Sequence, residues 1–106
     1  MHTFTQISAM TEPLLNEKIN TETAKIAWSE LQTHFARGAA VYVHADLDLI
    51  ATARLFADDD SSTVAKLMQQ GQIHLVSESQ AAEFYQNNQQ MWAVVIAPWV
   101  LIQEVK

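Results

Sequence analysis

The apolar positions of this chain change period several times, and each change marks an element. In "ETAKIAWSELQTHFARG" Ala24, Trp28, Leu31 and Phe35 recur at helical spacing with Glu30, Gln32 and Arg37 off the stripe, which predicts an amphipathic helix. Gly38 stands where such a helix would end in the left-handed region. Ser29 and Gln32 have capping-box spacing, so the helix either runs through Trp28 or breaks and restarts there. Both versions turn Trp28, Leu31 and Phe35 inward.

"AAVYVH", residues 39 to 44, alternates and is rich in β-formers, so it reads as a strand with Val41 and Val43 on one face and Tyr42 and His44 on the other. Asp46 then offers an N-cap to "LDLIATARLFAD", where Leu49, Ile50, Ala53, Phe56 and Ala57 share a helix face. After "DDDSS" a short helix "TVAKLMQQ" is expected to bury Val64, Leu67 and Met68 and to close at Gly71. "QIHLV" reads as a second strand. Ser77 with Gln80 repeats the capping-box spacing before "ESQAAEFYQNN", whose inner face is expected at Ala81, Ala82, Tyr85 and Phe84.

The final run, "WAVVIAPWVLIQEV", carries no charge before Glu104. From Met91 to Ala97 it is apolar at both alternating positions, the pattern of a strand covered on both faces. Pro98 cannot donate to a ladder and should mark a bend, bulge or boundary before Trp99–Ile102 continues as strand. This ending should supply the centre of the sheet. The order of elements predicts an α/β domain, with α+β the close alternative, in which about four helices pack a three- or four-stranded sheet. Residues 12–106 should form that single domain behind a flexible tail at 1–11.

Composition narrows the function classes. Twelve acidic residues against six basic ones give a net charge of −6, which repels phosphate backbones and anionic membranes and argues against nucleic acid or membrane as a partner. There is no cysteine, so disulfides, thiolate metal sites and cysteine nucleophiles drop out together. The start has no basic segment followed by an apolar one, which makes the cytoplasm the default compartment. The two glycines, Gly38 and Gly71, both read as helix ends and leave none for a phosphate-binding loop or dinucleotide fingerprint. No GxSxG occurs, no acid pair can be assigned, and no cofactor is implied.

Some clusters still invite chemistry. "HADLD" places His44, Asp46 and Asp48 at alternate positions where a strand meets a helix, a plausible ligand or divalent-metal site. The plainer reading makes Asp46 a cap, Asp48 a first-turn anion and His44 an exposed strand residue. "DDD", residues 58 to 60, lacks the alternating ligands and glycine of a calcium loop and reads as a turn that caps the next helix. His74 would join Tyr42 and His44 on one face if the two early strands pair. Trp92 and Trp99 could line an aromatic pocket, although core or subunit interface is the commoner use of tryptophan.

With "TAKIAWSELQTHFARG", "DLDLIATARLFADDDSSTVAKLMQQGQI" and "WAVVIAPWVLIQE" in view, the chain resembles a family of small bacterial proteins catalogued as domain of unknown function 2288. The likeness spans roughly residues 13 to 104, and the tryptophan-rich ending is its most specific part. It implies a free-standing bacterial cytoplasmic protein and carries over no catalytic residue. The expected function is a non-enzymatic interaction or regulatory module. The uncharged stretch from Phe84 to Gln103 would bring more apolar strand surface than the helices cover, so the module would self-associate as a homodimer around Trp92 and Trp99 or take another protein partner. The alternative is a small-molecule or metal-binding protein, even an enzyme, that uses His44, Asp46 and Asp48 with a tryptophan wall.

Overall fold

A computed structural model of the chain describes Ile19 and residues 22–105. The tail expected at 1–11 lies outside the described residues. The elements in chain order are β1 (Ala24–Ala27), α1 (Trp28–Ala36), β2 (Ala40–Val43), α2 (Leu49–Ala57), α3 (Ser61–Gln69), β3 (Ile73–Leu75), α4 (Glu78–Asn87), β4 (Gln90–Ile96) and β5 (Trp99–Glu104).

The apolar ending organises the rest. β4 and β5 form an antiparallel hairpin, paired from Met91 with Glu104 to Ile96 with Trp99, and the turn between them holds a cis Ala97–Pro98 bond. Pro98 therefore sits at a strand boundary, where its missing N–H breaks no ladder bond. β2 joins β5 in parallel and β3 closes that side antiparallel to β2, which gives the order β1-β4-β5-β2-β3.

Alternation sends successive side chains to opposite faces of this sheet. One face packs Met91, Ala93, Val100 and Ile102 under Trp28 and Leu31 of α1 and Ala81 and Phe84 of α4. The other packs Val41, Val43, Ile73, Val94 and Leu101 under Leu49 and Ala53 of α2, with Val64 and Leu67 of α3 against them. Helices thus cover both sides, which is why β4 and β5 are apolar at every other position of both phases. The arrangement is a single α+β domain with a mixed five-stranded sheet and four helices among the described residues.

Several expectations need correction. The sheet has five strands rather than three or four, because Ala24–Ala27 is strand and pairs antiparallel with β4 in the register Ala24 with Ala93 through Ala27 with Gln90. The open edge of β4 outweighs helix propensity there, and the Trp28 amide, which donates to the Gln89 carbonyl at 2.8 Å, ends the strand and begins α1. Ala27, with no side-chain cap, precedes that helix, so Ser29 and Gln32 do not form the capping box. The α2 cap is Asp48, whose Oδ1 accepts from the Ala51 amide at 3.1 Å, and not Asp46. In α4 the inner face is narrower than expected: Ala81 and Phe84 are buried as anticipated, while Ala82 and Tyr85 face out. Met68 is exposed rather than buried.

The remaining helix ends follow the expected chemistry. Ser77 caps α4 and Asp60 caps α3. Gly38 and Gly71 stand just past helix ends at φ of +73° and +75°, where a Cβ would be strained. Asn88 does the same work for α4 at φ 42°.

Candidate functional site

On the α2 and α3 side of the sheet a cleft of about 300 Å3 opens at the end where β5 begins and β3 finishes. Its floor is Val41, Ile73 and Leu75 from paired strands, with Trp99 beside them. Leu55 and Phe56 of α2 form one wall, and Val64 and Met68 of α3 form the other. Asp59, Asp60 and Ser61, in the turn between those helices, complete the lining.

The cleft exists because α3 covers the sheet incompletely. It is nine residues long and contributes no fully buried side chain. Met68 and Leu75 are each 48% exposed and Trp99 is 36% exposed, and all three line this one cleft. Burying a large apolar side chain completely is worth about 1.5–3 kcal/mol, so each of the three keeps roughly 1 kcal/mol unspent.

The turn beside it is negative. Asp58 pairs with Arg54 at 2.8 Å. Asp60 accepts from the Thr63 amide at 3.2 Å and the Thr63 hydroxyl at 2.9 Å, with Ser62 also donating, and these bonds hold its carboxyl below the usual carboxylate range. Asp59, at φ 58°, is held through its backbone, its amide donating to Phe56 and its carbonyl accepting from Ser61, and its carboxylate makes no hydrogen bond or ion pair with the other described residues. Among the described residues no lysine, arginine or histidine lines the cleft. The arrangement therefore suits an apolar group with a positive charge close by.

The residues singled out from sequence fall elsewhere or apart. His44 lies just past β2; its Nδ1 accepts from the Asp46 amide at 3.1 Å and is 3.7 Å from the Asp46 carboxylate. Asp48 is occupied as the α2 cap. Among the described residues no three His, Asp or Glu side chains come together as a metal site, and the "HADLD" turn is held by side chains that bond to backbone groups. Gln103 Nε2 donates to the His44 and Leu47 carbonyls at 3.0 and 2.7 Å and fastens it to β5.

Trp92 and Trp99 share one face of the β4–β5 hairpin but are separated along it. Trp92 lies beside Leu49 and Ile50 at the start of α2 and under the Lys25 ammonium, which is 5.4 Å from its ring centre. Trp99 lies beside Leu55 and Phe56 at the end of that helix. They do not form one aromatic pocket, and Trp99 alone lines the cleft.

β2 and β3 do pair, and Tyr42 stands opposite His74 with ring centres 5.2 Å apart, while His44 lies just past the end of β2. The Tyr42 hydroxyl donates to Glu104 at 2.8 Å, and Gln89 Nε2 donates to the other oxygen of that carboxylate at 2.9 Å. Sequence reasoning had no means of finding this bridge, because the partners are 62 residues apart. Met68 and Leu75 were missed as site residues for another reason: an apolar residue on a short helix or strand looks the same in sequence whether its neighbours cover it or not.

Among curated proteins nothing matches the chain. It is similar to PA1075 from Pseudomonas aeruginosa, whose NMR solution structure aligns with a TM-score of 0.77 at 43% sequence identity, over 92% of this chain and 90% of that one. Residues 14–104 match the model of a family described as "Protein of unknown function (DUF2288)", and the chain belongs to that family.

Proposed function

We propose that this chain is a non-enzymatic protein-interaction module whose contact surface is the Trp99 cleft together with the outer edge of β3. The observation that carries the reading is the convergence of three half-exposed apolar side chains, Met68, Leu75 and Trp99, on a preformed cleft beside a terminal strand. A partner's apolar side chain would fill the cleft while its backbone follows the strand, the usual way an extended segment adds to a sheet.

The test is a random peptide library displayed on phage, panned against the full chain and against Leu75→Lys and Trp99→Ser. Both substitutions fall at partly exposed positions and should preserve the fold, which thermal melts will check. Sequences that bind the native chain and neither variant are expected. A selection that yields no such sequences overturns the reading.

Self-association is a second reading, favoured by a difference between the two edges. β1 carries Lys25, a charge that discourages pairing, whereas β3 is Ile-His-Leu with no fixed charge. Sedimentation velocity across a wide concentration range should then show the native chain growing in mass and Leu75→Lys remaining a monomer. A native chain that stays monomeric throughout removes self-association and leaves the cleft to another polypeptide.

A further inference from the structure

The cleft's lining specifies more than apolarity. We infer that its occupant is an extended segment of a different protein that carries an apolar anchor side chain with a lysine or arginine two residues away. The inference rests on the proposal that this surface binds a polypeptide, and it adds the chemistry of the partner.

The backbone geometry comes first. The Val76 amide donates to Ala40, and the His44 amide donates to Gln72. Alternation then points the peptide groups of Ile73 and Leu75 away from β2. β3 is the last strand of the sheet among the described residues, so within them the Ile73 N–H and C=O and the Leu75 N–H have no strand to pair with. The Leu75 carbonyl is met by His74 Nδ1 at 2.9 Å. A segment laid along this edge has donors and acceptors to meet. Its side chains alternate, and positions i and i+2 fall on the same face of the sheet. The side chains of Ile73 and Leu75 mark that face as the one carrying the cleft.

Charge comes second. An anchor seated among Leu75, Met68 and Trp99 is close to Asp59 and Asp60, which line the same cleft. Asp58 is already neutralised by Arg54, and Asp60 is turned into the start of α3 by its hydrogen bonds to Thr63. Asp59 has no such engagement. A cation two residues from the anchor shares the anchor's face and, on a long flexible side chain, can approach Asp59.

A second copy of the chain does not fit this description. The segment it would present by pairing β3 with β3, Gln72–Val76, contains no lysine or arginine. It would leave Asp59 unanswered and bring together two chains that each carry a net charge of −6. A three-residue strand also contributes little toward the ~1,200–2,000 Å2 that a stable protein pair buries.

The experiment uses a matrix of short capped peptides of alternating valine and threonine. The central anchor is varied among leucine, phenylalanine, tryptophan and serine, and the residue two positions away among arginine, lysine, glutamine and glutamate. Binding to the full native chain is read by fluorescence anisotropy at low and high salt. An apolar anchor with arginine or lysine should bind best, about three- to tenfold better than the same anchor with glutamate, and the advantage should shrink as salt rises. Asp59→Asn should remove the advantage while keeping the fold, because asparagine tolerates the left-handed backbone at this position. Peptides that bind through the apolar anchor with no preference for a cation leave the interaction surface standing and overturn this inference. If no peptide binds in a way that depends on Leu75 and Trp99, the interaction surface falls, and this inference falls with it.

Discussion

Two side chains that look alike in sequence do different work at the scale of single residues. Asp46 and Asp48 flank Leu47 in a turn, and either could cap the following helix. Only Asp48 reaches an unpaired amide, that of Ala51, while Asp46 is an exposed residue of the turn. Asp48→Ala should therefore cost about 1 kcal/mol in a urea melt, whereas Asp46→Ala should stay within about 0.5 kcal/mol of the native chain. Equal losses would mean that the two share the cap. Tyr42 offers a pH test. Burial, then its hydrogen bond to Glu104, then the charge of that carboxylate push its phenol from 10.0 up to about 12. A group raised in the folded state contributes stability that is present below its unfolded value and is lost as pH rises through the folded one. Alkaline unfolding should thus steepen between pH 10 and about 12, and Tyr42→Phe should lose that steepening. A Phe variant with the same alkaline profile would assign the effect to other groups.

At the scale of elements, the sequence was most legible where two signals agreed. Ser77 before α4, the aspartates before α3, and Gly38 and Gly71 after their helices were readable because a cap is a local event within one turn. β1 departs from the helical reading because Ala24, Trp28 and Leu31 fit a helical stripe while the reason for a strand, the open edge of β4, lies more than 60 residues further along, where Gln90 stands opposite Ala27. The inner face of α4 reads too wide in the sequence because Ala82 and Tyr85 present apolar surface beside Ala81 and Phe84. Only the placement of Trp28, whose ring centre is 5.2 Å from that of Phe84, decides between them. The end of α4 was not anticipated either, since Asn87 and Asn88 are adjacent and identical. Asn88 holds the left-handed turn, so Asn88→Val should destabilise the chain by about 1–2 kcal/mol and Asn88→Gly should be nearly neutral. Denaturant midpoints with unchanged slopes will separate the two. A tolerated valine would show that α4 can end elsewhere.

For the molecule as a whole, the decisive property is that the sheet is covered on both sides, and the candidate cleft is where that cover is incomplete. The apolar run at the end of the chain announced a doubly buried strand, but it could not say which of its tryptophans would be covered, because coverage depends on how far α2 and α3 reach across the sheet. Adjacent residues of β5 put this to the test. Leu101 and Ile102 point to opposite faces, and each is 0% exposed, one under α2 and the other under α1 and α4. In a sheet with one wet face, alternate truncations would be cheap. Here Leu101→Ala and Ile102→Ala should each cost about 2–5 kcal/mol, a large share of the ~5–15 kcal/mol that holds an ordinary domain together. Trp99 begins the same strand, yet Trp99→Ser should cost much less than the ~3–5 kcal/mol typical of truncating a buried aromatic, because more than a third of its surface is already wet. Equilibrium unfolding of the three variants compares them directly. A Trp99→Ser loss as large as that of Leu101→Ala would make Trp99 a structural residue of the core and leave the cleft without its exposed aromatic side chain.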